Sequence, residues 1–131
     1  MSTVTRPELS KRNKYYISKH RYYELKHFCL QYPEWKMLLQ HSFDVAQNNG
    51  DLQWSDPTGE KAIFREHLQR KIKLVEAVAY ETDEIIGSYI LKAVTEDLSY
   101  TFLKTKLDMP CGRDSYFNLY RRYFYLLDSH F

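Results

Sequence analysis

Apolar side chains recur at three- and four-residue intervals along most of this chain, which is the spacing of one face of an α-helix. No stretch alternates with period two for long enough to claim a strand. Ser18 is placed to cap a helix running through Tyr32, with Tyr22, Leu25, Phe28 and Cys29 as its stripe. Pro33 disfavours helical geometry at Tyr32 and starts the next helix, whose apolar positions are Trp35, Leu38, Leu39 and Phe43. The turn signal Asn48-Asn49-Gly50-Asp51 ends it.

Ser55-Asp56-Pro57 puts a capping residue directly before a proline suited to a first helical turn. The long helix that follows should reach about Glu81, with Phe64, Leu68, Ile72, Val75 and Val78 or Ala79 facing inward. A further helix follows Asp83 and contains Ile85, Ile86, Tyr89, Ile90 and Val94. Two more close the chain, one from Ser99 to near Leu107 and one from about Arg113 to Leu127.

The expected fold is therefore all-α: a compact bundle of five or six helices ending in a helix-turn-helix-like pair over residues 98–128. Residues 18–131 read as one helical domain. Residues 1–17, with Arg6, Lys11, Arg12 and Lys14 against Glu8, read as a flexible basic arm. The core should include Leu25, Cys29, Trp35, Leu39, Phe64, Leu68, Val75, Ile86, Ile90, Leu103, Leu107, Tyr120 and Leu127.

Composition narrows the class. Four Gly and four Pro among 131 residues argue against a loop-rich sandwich, and 16% aromatic residues supply a large driving force for collapse. Nineteen Lys and Arg against seventeen Asp and Glu leave a net charge of +2, so attraction to nucleic acid must come from a local patch. Two cysteines, Cys29 and Cys111, are too few for a disulfide scaffold and suit a reducing compartment. With no signal-like or membrane-spanning apolar run, the expectation is a soluble, cytoplasmic protein.

Catalytic signatures are missing: no Gly-rich phosphate loop, no HExxH, no Gly-x-Ser-x-Gly and no paired CxxC. His20, Glu24 and His27 share a helical face and could in principle hold a divalent cation, but exposed His and Glu on a basic helix are commonplace. No catalysis, no metal and no cofactor are expected.

The C-terminal pair is more informative. A short helix from Ser99, a Pro/Gly turn at Asp108-Met109-Pro110-Cys111-Gly112 and a longer helix from Arg113 have the layout of a helix-turn-helix. On the last helix Tyr116, Phe117, Leu119, Tyr120, Tyr123, Phe124, Leu126 and Leu127 share a broad apolar arc. The opposite arc holds Asp114, Ser115, Asn118, Arg121, Arg122 and Tyr125, and Arg, Asn and Ser are the residue types that read base edges or hold phosphate. An ordinary solvated face or a protein-binding face would carry the same residues. Two details run against the motif: Lys104 stands where a small residue is common at the helix crossing, and the turn is about two residues longer than the shortest form. Near the N-terminus Lys11, Arg12, Lys14, Lys19 and Arg21 alternate with tyrosines, a pattern that could clamp phosphate and stack on bases.

The block from Lys19-His20-Arg21-Tyr22-Tyr23 through Gln31-Tyr32-Pro33-Glu34-Trp35 resembles one found in small prophage proteins of Gram-positive bacteria. The closing residues Leu98-Ser99-Tyr100, Pro110-Cys111, Tyr116 and Arg121-Arg122-Tyr123-Phe124 resemble the same group. That group is similar to phage late-gene transcriptional regulators of the RinA/ArpU type, whose C-terminal part is like the promoter-reading helix-turn-helix of sigma factors. The resemblance implies a transcription regulator that reads duplex DNA with its C-terminal helix, with RNA polymerase as a further partner. The phage association also opens a second class, a phage-encoded inhibitor of a host defence protein, such as an anti-CRISPR protein acting on a Cas nuclease. Such inhibitors need no active site, and an aromatic-rich surface suits a protein interface.

Overall fold

Helix α1, Lys19–Leu30, begins where Ser18 turns its hydroxyl back to accept the amide N–H of Arg21 at 3.3 Å. Its buried face is Tyr22, Leu25 and Cys29, at steps of three and four. These belong to a computed structural model that describes residues 12–49 and 58–131, with side chains over 12–42 and 59–131. Among the described residues there are six helices and no strand.

Only Gln31 separates α1 from α2, Tyr32–Asn49. The sequence places the break at Tyr32, whereas Tyr32 is already helical. Pro33 is tolerated because it sits in the first turn, where an N–H would have no partner inside the helix. Trp35 is buried, Leu39 is half-buried and Leu38 is exposed. Phe43 and the Ser55-Asp56-Pro57 cap lie outside the described side chains and residues.

The third helix, α3, Thr58–Thr82, is the central strut. It packs against α2, α4 and α6 and buries Leu68, Ile72, Val75, Val78 and Ala79. Phe64, expected in the core, is instead 48% exposed. It continues the stripe by spacing, but α4 and α6 meet α3 around Val75, Ala79 and Thr82, well beyond it. Periodicity reports which residues share a face, not how far the covering helices reach.

At the end of α3 the Asp83 carboxylate accepts the amides of Ile85 and Ile86 at 3.0 and 2.7 Å, closing a tight turn into α4, Gly87–Glu96. Gly87 is the contact point between α3 and α4: a Cβ there would sit 2.5 Å from the carbonyl oxygen of Ala79. Asp97, left-handed at φ 59°, ends α4, and the amide of Leu98 reaches back to Ala93 O at 3.2 Å. Ser99 then caps α5, Tyr100–Lys106, by accepting the amide of Phe102 at 3.1 Å. Helix α6, Arg113–Asp128, completes the chain.

One cluster of buried side chains draws on all six helices. Tyrosines on α6 fill much of it, and each buried phenol needs a partner. Tyr123 donates to the carbonyl of Val75 at 3.1 Å and lies 3.6 Å from the Cys29 sulfur. Tyr22 and Tyr120 share a hydrogen bond at 2.9 Å. Burial pushes the Tyr22 phenol and the Cys29 thiol each up to about 12, so Cys29 stays a neutral, unreactive thiol. Leu107 and Tyr120, also expected in the core, are only half-buried.

No helix among the described residues is long and apolar enough to cross a membrane. As far as Lys11, the basic arm expected over 1–17 lies outside the described residues. Residues 12–17 form a turn seated on α6, in which Asn13 accepts the amide of Tyr15 through its side chain at 2.8 Å and that of Tyr16 through its carbonyl at 3.0 Å. The Tyr15 ring packs against Tyr125 with centroids 5.6 Å apart. An apolar partner for its rings is what turns this stretch of a basic segment into a folded one.

Candidate nucleic-acid interface

The α5–turn–α6 unit is built around two buried side chains, Leu103 on α5 and Met109 in the turn. Between them Asp108 adopts φ 54°, a left-handed residue in the place where turns of this kind often hold Gly. The amide of Met109 donates to Leu103 O at 3.1 Å and that of Cys111 to Met109 O at 2.9 Å. Two side chains from α5 tie down the same turn. The Tyr100 phenol donates to Cys111 O at 3.2 Å, and the Lys104 ammonium donates to Met109 O at 3.1 Å and Cys111 O at 3.4 Å. The lysine that counts against the motif in the sequence is therefore a brace on the longer turn, satisfying carbonyls that the extra residues leave open.

From this turn α6 starts at Gly112, which offers no side-chain cap. Its first two turns project Arg113, Asp114, Ser115 and Asn118 into solvent around Tyr116, which is 1% exposed. The guanidinium carbon of Arg113 lies 5.5 Å from the Tyr100 ring centre and 5.3 Å from that of Phe117. Among the described residues it makes no hydrogen bond or ion pair.

The second half of α6 is different. Arg122 donates to the carbonyls of Thr82 at 3.3 Å and Glu81 at 3.5 Å, and faces the Tyr15 phenol at 3.4 Å. It thus supplies donors to the last carbonyls of α3, which no intrahelical amide reaches. The same contact with Arg122 lowers the Tyr15 phenol from its ordinary value. Arg121 is half-buried, with an Nε that is buried and has no hydrogen-bond partner among the described residues. Tyr125 is exposed but carries the Tyr15 ring on one side. On α1, Arg21 is held between Asp128 and Glu24.

The ten residues singled out in the sequence thus separate. Ser115 and Asn118 stand open at the start of α6. Arg121, Arg122 and Tyr125 face the other end, and Arg122 and Arg21 have intramolecular partners that the sequence reading did not foresee. Lys14 lies over the Tyr15 ring at 5.2 Å, Lys19 and Arg12 are exposed, and Lys11 lies outside the described residues. Arg113, outside those ten but one of the last helix's cations that the sequence offers to phosphate, gains two ring contacts in the structure. Its i,i+4 spacing to Phe117 was the available signal, whereas the Tyr100 contact depends on the turn.

No protein-family model matches this chain. No curated protein and no solved structure matches it either.

For other chemistry the surroundings are poor. His20, Glu24 and His27 are exposed on α1, with Glu24 paired to Arg21, and among the described residues no group of three or more His, Cys, Asp or Glu is arranged to hold a metal. Burial, with Asp83 nearby, raises the Cys111 thiol above its usual range. Neither cysteine is disposed to act as a thiolate.

Proposed function

We propose that this protein binds duplex DNA through the α5–α6 unit, with the first two turns of α6 in the major groove and α5 along the backbone. The observation that carries the reading is the fate of α6: Tyr116 anchors it in the core while Arg113, Asp114, Ser115 and Asn118 project from its N-terminal end. That is the end with which a helix-turn-helix recognition helix meets base edges. Asn118 offers a bidentate partner for adenine, and Ser115 is suited to either purine or pyrimidine edges. Lys106, exposed at the end of α5, and Lys14 and Lys19, beside the other half of the molecule, are available for phosphates. On the strength of the two prophage-like blocks, the duplex is a phage promoter and the protein a transcriptional regulator.

The test is a fluorescent random-duplex library titrated at two salt concentrations. With three or four phosphates neutralised, log affinity should fall against log salt with a slope of about −3 to −4. Asn118→Ala should cost about 1 to 3 kcal/mol on the selected site. Absence of duplex binding at low salt, together with a stoichiometric complex between this protein and a host nuclease, would replace the regulator with the inhibitor.

A further inference from the structure

We infer that Arg113 is a specificity-determining residue that reads a guanine, its guanidinium presented by the Tyr100 and Phe117 rings. The inference rests on the DNA-binding reading above and adds to it a residue and a base. An arginine on a helix surface ordinarily samples many rotamers and must lose that freedom to bind. Arg113 is restrained beforehand, its guanidinium carbon 5.5 Å from one ring centre and 5.3 Å from the other.

The rings are themselves fixed. Tyr100 donates its phenol proton to Cys111 O and packs at 5.4 Å against Tyr116, which is fully buried, and Phe117 lies 5.2 Å from the same tyrosine. The restraint on Arg113 is thus anchored in the core rather than in other mobile side chains. With no hydrogen bond or ion pair among the described residues, its planar set of N–H donors is still available to a ligand.

Guanine is favoured over phosphate for two reasons. A restrained planar fork gains most where the acceptors are two atoms in one plane, as O6 and N7 of guanine are; a phosphate accepts from many directions and a flexible lysine serves it as well. Asp114, exposed next to Arg113, repels a phosphate yet can accept from the amino group of a cytosine. Ser115 and Asn118 share the same projecting end.

The experiment selects sites from a random duplex library with the wild-type protein and with Arg113→Lys, Phe117→Leu and Tyr100→Phe, each checked for a normal thermal unfolding curve. Wild type should select a guanine at one fixed position. Arg113→Lys keeps the charge and loses the fork, so preference for that guanine should drop about 10- to 100-fold with the salt slope and the other positions unchanged. Phe117→Leu should weaken the same preference, and Tyr100→Phe, which keeps the ring but frees it from Cys111 O, should weaken it less. Undiminished guanine selection by Arg113→Lys overturns the inference. So does an Arg113→Ala variant that weakens all sequences equally and flattens the salt slope by about one, which would mark a phosphate contact. Wild-type protein that retains no duplex overturns the DNA-binding reading itself, and the inference with it.

Discussion

The two halves of α6 carry similar polar residues and use them differently. At the N-terminal end Ser115 and Asn118 stand in solvent and Arg113 rests on two rings; at the C-terminal end Arg122 caps α3 and Tyr125 supports the Tyr15 turn. The cause lies outside the helix. α3 ends opposite Arg122 and leaves carbonyls to be satisfied there, whereas near Arg113 the neighbouring carbonyls of the turn are already taken by Lys104 and Tyr100. An arginine is absorbed into the fold where the backbone nearby lacks donors, and remains available where it does not.

The sharpest break in that comparison is at its apolar base. Leu127 is fully buried, and Leu127→Ala should destabilise the protein by about 2 to 5 kcal/mol in urea unfolding, whereas Asn118→Ala should stay within about 0.5 kcal/mol. Next comes the contact that fixes the α3 end. Gly87→Ala places a methyl against the Ala79 carbonyl and should cost about 1 to 3 kcal/mol, read in the same assay.

The comparison is sharpened most by exchanging readouts. Arg122→Ala should cost about 1 kcal/mol of stability and leave sequence preference on duplex DNA unchanged. Asn118→Ala should do the reverse, and a loss of base preference in Arg122→Ala would erase the distinction between the halves.

The smallest effect is silent at neutral pH. Burial raises Tyr22 from 10.0 to about 12 in the folded chain, so the unfolded chain gives up this proton first as pH rises. The stability linked to Tyr22 is complete below pH 10 and should disappear between pH 10 and about 12. Circular dichroism melts across that window should show the decline, and Tyr22→Phe should make it shallower.

Much of the fold was legible because its signals are local. Ser18 caps the helix it was expected to cap, α5 begins at Ser99 as its pattern suggests, and the stripes of α1 and α6 follow from spacing alone. Phe64 was misjudged because burial depends on what stands opposite, and nothing in its own helix records where α4 and α6 cross. The site divided in the same way. The polar arc of α6 could be drawn from residue order, but the partners of Arg122 lie 40 and 41 residues away on α3 and those of Arg113 include a ring across the turn. Lys104 was read as a fault because its head group's destination, two carbonyls of the turn, exists only once the turn has folded.

The phenols inside the core also have an angular consequence. A helix buried by leucines alone is held in rotation by packing only, with no directional bond to mark its angle. Turning α6 by a single residue, about 100°, would swing the Tyr123 hydroxyl away from Val75 O and part Tyr120 from Tyr22. Each hydroxyl left unpaired in the interior costs about 1 to 3 kcal/mol. The hydroxyls therefore act as an index mark for the azimuth of the whole helix, and the direction in which Ser115 and Asn118 face outside is set by oxygen atoms on its inward face.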